Sequence, residues 1–253
     1  MGDTFDDYLV ILGKYKGSDA NVRIPDGITT VGERAFAANS MIESVVISDG
    51  VRGLDAGCFE SCSRLSEVRM PPTLWRIGER VFKDCVSLAH VTIGPGVSAL
   101  GDEAFHGCSL LGGITMPERM KHVGAGCFEE CAALAYVDFP DELLDLGARA
   151  FRGCVSLQEV YLPEGLKVLG ESAFEQCAEL RVVMLPSTLE EIGPRAFAGC
   201  PNLIQPALPE GVRTVAPDAF AEAPASVPAA PRSRPAATAG PRAAGIESQP
   251  AWS

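Results

Sequence analysis

Apolar residues recur along this chain with two superposed periods, one of two residues inside short segments and one of 23 residues over most of its length. The short period is clear in Leu157-Gln158-Glu159-Val160-Tyr161-Leu162. Leu157 and the alternating pair Val160 and Leu162 are predicted to face inward, with Glu159 and Tyr161 outward, as on a half-buried strand. Pro163 follows, removes an amide donor and ends the strand at a corner. Leu166 and Leu169 return to the core, and Gly170 permits a tight bend. The stretch Glu171 to Cys177 then places Ala173, Phe174 and Cys177 on one face of a short helical turn. In two later units Pro194 and Pro217 stand just after the bend, a position that suits proline at the start of a helix.

The long period is carried by phenylalanine. Phe36, Phe59, Phe82, Phe105, Phe128, Phe151, Phe174, Phe197 and Phe220 are spaced 23 residues apart without insertion or deletion, and only Phe5 and Phe139 fall outside the register. Seven cysteines, Cys62 through Cys200, lie three residues after the Phe, and seven prolines, Pro25 through Pro209, lie eleven before it. Glycine precedes it by four residues in seven units, and leucine follows by six in seven. Ladders that coincide in this way mark an internal repeat rather than a biased composition.

One unit cannot bury its apolar face, but stacked units can. The expected fold is therefore an α/β solenoid of nine coils. Its strands form a parallel sheet on the concave side, and short helical turns line the convex side. With strands about 4.8 Å apart, the array would be roughly 40 Å long. The unit L-x-x-V-x-L-P-x-x-L-x-x-L-G-x-x-A-F-x-x-C-x-x resembles the BspA-like, or Treponema pallidum type, leucine-rich repeat over residues 24–223. That resemblance implies a leucine-rich-repeat solenoid and, for many members, a cell-surface or secreted adhesion role.

The ends depart from the repeat. Residues 1–23, with Tyr8 to Leu12 and Asn21 to Ile24 as extended segments, read as a hairpin-like N-terminal cap before the solenoid of residues 24–223. In the last unit Ala216 replaces the glycine, Ala223 replaces the cysteine, and Pro206 interrupts the strand, a device that discourages edge-to-edge pairing. Residues 224–253 are rich in Pro, Ala, Ser and Arg without an apolar period and read as a disordered tail.

Composition narrows the function. An apolar content of 47% fits a packed core. The net charge is −12; the tail carries three arginines against one glutamate, so the remainder stands at −14. Such an acidic body repels phosphate backbones, which argues against nucleic acid as a partner. No apolar run reaches the length of a membrane span, so no membrane insertion is expected. The acidic N-terminal stretch lacks the pattern of a signal peptide, which gives a cytoplasmic expectation, with the cell surface as the alternative.

Nine cysteines raise the question of metal or redox chemistry, but no C-x-x-C pair occurs and the register spreads the thiols one per coil. A structural zinc site needs four converging ligands, so the cysteines, with Cys58 and Cys127 just before the Phe, read as reduced core residues, and neither metal nor cofactor is expected. His90, His106 and His122 occupy different parts of the coil, and hydrolase, phosphate-loop and dinucleotide motifs are absent. Glu67 and His90 should be neighbours on the concave face, the one pair that could support a hydrolase.

The expected function is non-enzymatic recognition of a protein partner through the concave sheet, by a chain expected to be monomeric. Its outward positions fall eight and ten residues after each Phe. In the second half they include Tyr136, Asp138, Glu159, Tyr161, Val182 and Met184, aromatic and apolar side chains rimmed by charge, with Arg181 beside them. Protein interfaces favour this composition; strands also accept Tyr and Val for their β-propensity alone. Trp75 occupies a corner otherwise held by polar side chains, either packed on the next coil or as a second contact. A structural or adhesive surface component is the alternative function.

Overall fold

The computed structural model describes residues 10–224. The tail from residue 225, together with Phe5, Tyr8 and Leu9, lies outside the described residues. Within them the chain winds as a parallel solenoid, and each coil of the repeat places its apolar ladder inside. Leu157, Val160, Leu162, Leu166 and Leu169 are all buried.

The predicted strands line one face, the first sheet, in three hydrogen-bonded ladders, with breaks after His90–Val91 and after Tyr136–Asp138. They are Asn21–Arg23, Ser44–Val46, Glu67–Arg69, His90–Val91, Gly113–Thr115, Tyr136–Asp138, Glu159–Tyr161 and Val182–Met184. Neighbours pair in parallel in the register of the repeat, as in Ser44 with Glu67 and Tyr161 with Met184.

A second sheet runs beside it and was not expected. After the proline corner each coil adds a two-residue strand, such as Arg76–Ile77, Ala99–Leu100, His122–Val123 and Asp145–Leu146, and these too pair in parallel from coil to coil. The returning leucine of the repeat thus belongs to a strand of its own, too short to show an alternating pattern in sequence.

The third side of the coil differs from the expected helical turn. Among the described residues there is no α-helix; the segment around each Phe is a run of turns. Its cause is backbone handedness. Two residues flanking the Phe, two before and two after, are left-handed: Ser172 (φ 55°) and Gln176 (φ 62°) around Phe174, Gly126 (φ 58°) and Glu130 (φ 62°) around Phe128. A right-handed helix cannot pass through them. Their amides point along the solenoid axis instead. Those of Ser172, Phe174 and Gln176 donate to the carbonyls of Pro194, Ala196 and Ala198 at 2.9, 2.8 and 2.8 Å. The amides of Glu175 and Cys177 turn back three residues, to Ser172 and Phe174. Every other amide therefore stitches one coil to the next, and the turn face is as continuous as a sheet.

The phenylalanines behind this face form a stack. From Phe36 to Phe220 successive ring centroids lie 5.0–5.7 Å apart, with interplanar angles of 3–21°. The ladder glycines serve a different need from the bend expected of them. Gly101, Gly124 and Gly147 are not left-handed, but a methyl group on any of them would lie 2.4–2.5 Å from the backbone of the preceding coil. Close stacking, not turn geometry, requires glycine there.

At the N-terminal end the described part of the expected hairpin takes another form. Ile11–Leu12 and Asn21–Arg23 do not pair with each other; each pairs in parallel with the following coil, at Thr30–Val31 and Ser44–Val46. Residues 10–23 are thus a shortened coil, and the Tyr15 ring, 4.9 Å from that of Phe36, covers the end of the stack.

Candidate functional site

The outward positions of the first sheet lie where the register places them. Val160 and Val183 are buried between exposed or half-buried neighbours. Glu159 stands opposite Val182 and Tyr161 opposite Met184. Tyr161 Oη donates a hydrogen bond to Glu159 Oε2 at 2.7 Å, which fixes the ring along its own strand. Tyr161, Val182 and Met184 are half-buried, with Glu159 exposed at their edge. This half of the predicted patch is assembled.

The other half faces away from it. Tyr136 pairs with Gly113, and a methyl group on Gly113 would lie 2.0 Å from the Tyr136 ring. The ring thus lies over the glycine, toward the preceding coil, and remains 52% exposed. A glycine inside a strand leaves a gap that an aromatic neighbour can cover, and Gly113 one unit before Tyr136 is the sequence signal for it. Asp138 stands opposite Thr115. Tyr136–Asp138 and Glu159–Tyr161 are not hydrogen-bonded to each other. The six residues therefore form two adjacent groups rather than one continuous ladder. Arg181 turns to Glu179, with Nη2 to Oε2 at 2.9 Å, instead of rimming the patch.

Glu67 and His90 are opposite each other, as the register requires. No hydrogen bond joins them, and among the described residues no third side chain orients either. Trp75 is 53% exposed beside Arg76–Ile77, so it is not buried against the next coil.

All nine cysteines are buried and free. Each of the seven ladder thiols donates to the carbonyl of the Phe in the preceding coil at 3.1–3.2 Å, from Cys62 with Phe36 to Cys200 with Phe174. Burial pushes these thiols up, to about 11 for Cys62 and Cys200 and to about 12 for Cys131. They are poor nucleophiles at neutral pH. Among the described residues no three His, Cys, Asp or Glu side chains come together so as to hold a metal ion.

The profile of the BspA type leucine rich repeat region matches this sequence in six copies, over residues 15–112 and 99–225. The chain belongs to the BspA type leucine-rich repeat family. Among solved structures, this BspA type array is similar to a leucine-rich repeat protein from Bacteroides ovatus, with 27% identity and a TM-score of 0.73 over 77% of this chain and 53% of that one. It therefore spans about half of that relative. The Treponema pallidum leucine rich repeat protein is 27% identical, with a TM-score of 0.57 over 76% of this chain and 82% of its own. A leucine rich cell surface protein from Faecalibacterium prausnitzii is 24% identical, with a TM-score of 0.46 over 84% of this chain and 74% of that one. No curated protein matches the sequence.

Proposed function

We propose that this BspA type array is a non-enzymatic scaffold that recognises a protein partner through the outward face of its first sheet. The observation that carries this reading is the pairing of Tyr161 with Met184 and Glu159 with Val182 in one register, with Tyr136 and Asp138 one coil earlier. Aromatic and methionine side chains bordered by carboxylates give area for burial and an edge for charge recognition. Repeat folds of this kind present extended surfaces rather than enclosed reaction chambers. The test is Tyr136→Ala combined with Tyr161→Ala: a partner retained by the wild-type array is lost, while the circular dichroism and melting curve keep their shape. Equal retention by the double variant rejects the surface.

Membership of the family also favours the second reading, a surface or adhesive component. The cytoplasmic placement expected from the acidic N-terminal stretch gains no support from the comparisons. Among the described residues no helix is long and apolar enough to cross a membrane, a fact compatible with either placement. Cell fractionation separates them: protein found only in the cytosol rejects the surface role.

A further inference from the structure

At one coil boundary both sheets are interrupted, and among the described residues this happens nowhere else. In the first sheet Tyr136–Asp138 pairs with Gly113–Thr115, and Glu159–Tyr161 with Val182–Met184, but the two pairs are separate. In the second sheet the ladder that starts at Ile11–Leu12 ends at Asp145–Leu146, and a new one starts at Val168–Leu169. The amides of the ladder glycines report the same gap. Gly124 donates to Leu100 O at 3.0 Å, Gly147 to Val123 O and Gly193 to Leu169 O at 2.8 Å, whereas Gly170 makes no corresponding bond to Leu146. A methyl group on Gly147 would lie 2.5 Å from the preceding backbone, but one on Gly170 would find 3.3 Å.

The turn face is unbroken at the same level. Amides of Arg149, Phe151 and Gly153 donate to the carbonyls of Glu171, Ala173 and Glu175 at 2.8, 2.9 and 2.8 Å, and Phe151 stacks on Phe174 at 5.3 Å. Arg152 reaches both ways from the coil between: Nη1 donates to Glu129 Oε1 at 2.8 Å, and Nε lies 3.4 Å from Glu175 Oε2. Arg195 holds Glu175 from the far side at 2.5 Å. Both carboxylates are largely buried.

Phe139 is the side chain that differs at this level. Ile47, Met70, Ile93, Met116, Leu162 and Leu185 occupy its position in other coils. Phe139 is buried and meets Phe151 edge-on, with centroids 5.6 Å apart at 85°. A larger, rigid ring where other coils hold an aliphatic side chain needs more room in a close-packed core. The turn face is held by its ion pairs and amide ladder, so the sheets part instead.

We propose that the array flexes as two blocks about this seam, with Phe139 as the wedge and the turn face from Gly147 to Leu157 as the pivot. The first block ends with Asp145–Leu146 and the second begins with Glu159–Tyr161. Bending needs only a change in width of a gap that already lacks backbone bonds, while the other coil boundaries would have to break theirs. If the partner-binding reading above is right, on which only this clause rests, Tyr136 and Asp138 ride on one block and the other four residues on its neighbour.

Pairs of spin labels on outward strand positions test the hinge in the full chain, since the native thiols are buried. Thr115→Cys with Met184→Cys spans three coils across the seam, and Val46→Cys with Thr115→Cys spans three coils within one block. The expected distance distribution across the seam is about twice as broad as in the control, and Phe139→Leu narrows it toward the control. Equal widths in the unaltered background overturn the hinge, whether or not Phe139→Leu folds. A broad distribution that a folded Phe139→Leu variant leaves unchanged overturns the wedge.

Discussion

Cys154 Sγ lies 3.1 Å from the Phe128 carbonyl oxygen, one coil back, and donates a hydrogen bond to it. The same carbonyl accepts the Cys131 amide at 3.2 Å within its own coil. The thiol is therefore a small core side chain that also fills the second lone pair of a buried acceptor. Cys154→Ala removes both packing and donor and should cost about 2 kcal/mol in chemical denaturation. Cys154→Ser keeps a donor at the price of burying a hydroxyl and should fall between the two. A Cys154→Ala variant as stable as the parent would show that the thiol contributes neither.

The thiols also set a pH limit on stability. An unfolded cysteine ionises at about 8.5, whereas burial raises Cys62 and Cys200 to about 11 and Cys131 to about 12. The folded state thus holds these protons when the unfolded state has released them. Their contribution is complete below the unfolded value and is lost as pH rises through the folded values. The denaturation midpoint should be level between pH 6 and 8 and fall steeply above 9. A midpoint that stays level to pH 10.5 would contradict this account.

The parts of the fold that were legible in the sequence are those where one residue type answers one repeated demand. Phe, Leu and Cys at fixed spacing forced the coil, its core and the outward positions. The second sheet was not legible because two-residue strands such as His122–Val123 are too short to show alternation. The turn face differs from the helix that the spacing of Ala173, Phe174 and Cys177 suggests, because handedness at Ser172 and Gln176 is marked only by glycines at the equivalent positions of other coils, such as Gly126 and Gly153. The candidate patch was legible as a register but not as a surface. Gly113 draws Tyr136 one way, and Phe139, an aromatic ring where other coils hold an aliphatic side chain, parts the strands on the other.

Gly147 and Gly170 occupy the same position of adjacent coils and should differ in tolerance. A methyl group on Gly147 collides with the Ala125 backbone at 2.5 Å, and rigid backbone cannot yield. On Gly170 the nearest atoms are 3.3 Å away, so a shift of a few tenths of an ångström suffices. Gly147→Ala should cost about 2–3 kcal/mol by overpacking, and Gly170→Ala less than about 1 kcal/mol. Thermal denaturation of the two single variants checks the order. Equal losses would mean that the gap beside Gly170 closes in solution.

Gln176 offers a gain rather than a loss. It is exposed, left-handed at φ 62°, and uses its amide, not its side chain, to join Ala198 at 2.8 Å. The equivalent position holds glycine at Gly107, Gly153 and Gly199, with φ of 70–73°. An L side chain in this region costs about 1–2 kcal/mol, and glycine removes that cost while keeping the amide bond. Part of the gain is offset by the greater freedom of glycine in the unfolded chain, about 0.5–1 kcal/mol. Gln176→Gly should therefore stabilise the array by about 0.5 kcal/mol, and Gly153→Ala, the reverse change one coil earlier, should destabilise it by about 1 kcal/mol or more. Denaturation midpoints that move the same way for both variants would show that packing of the Gln176 stem, not backbone handedness, decides the position.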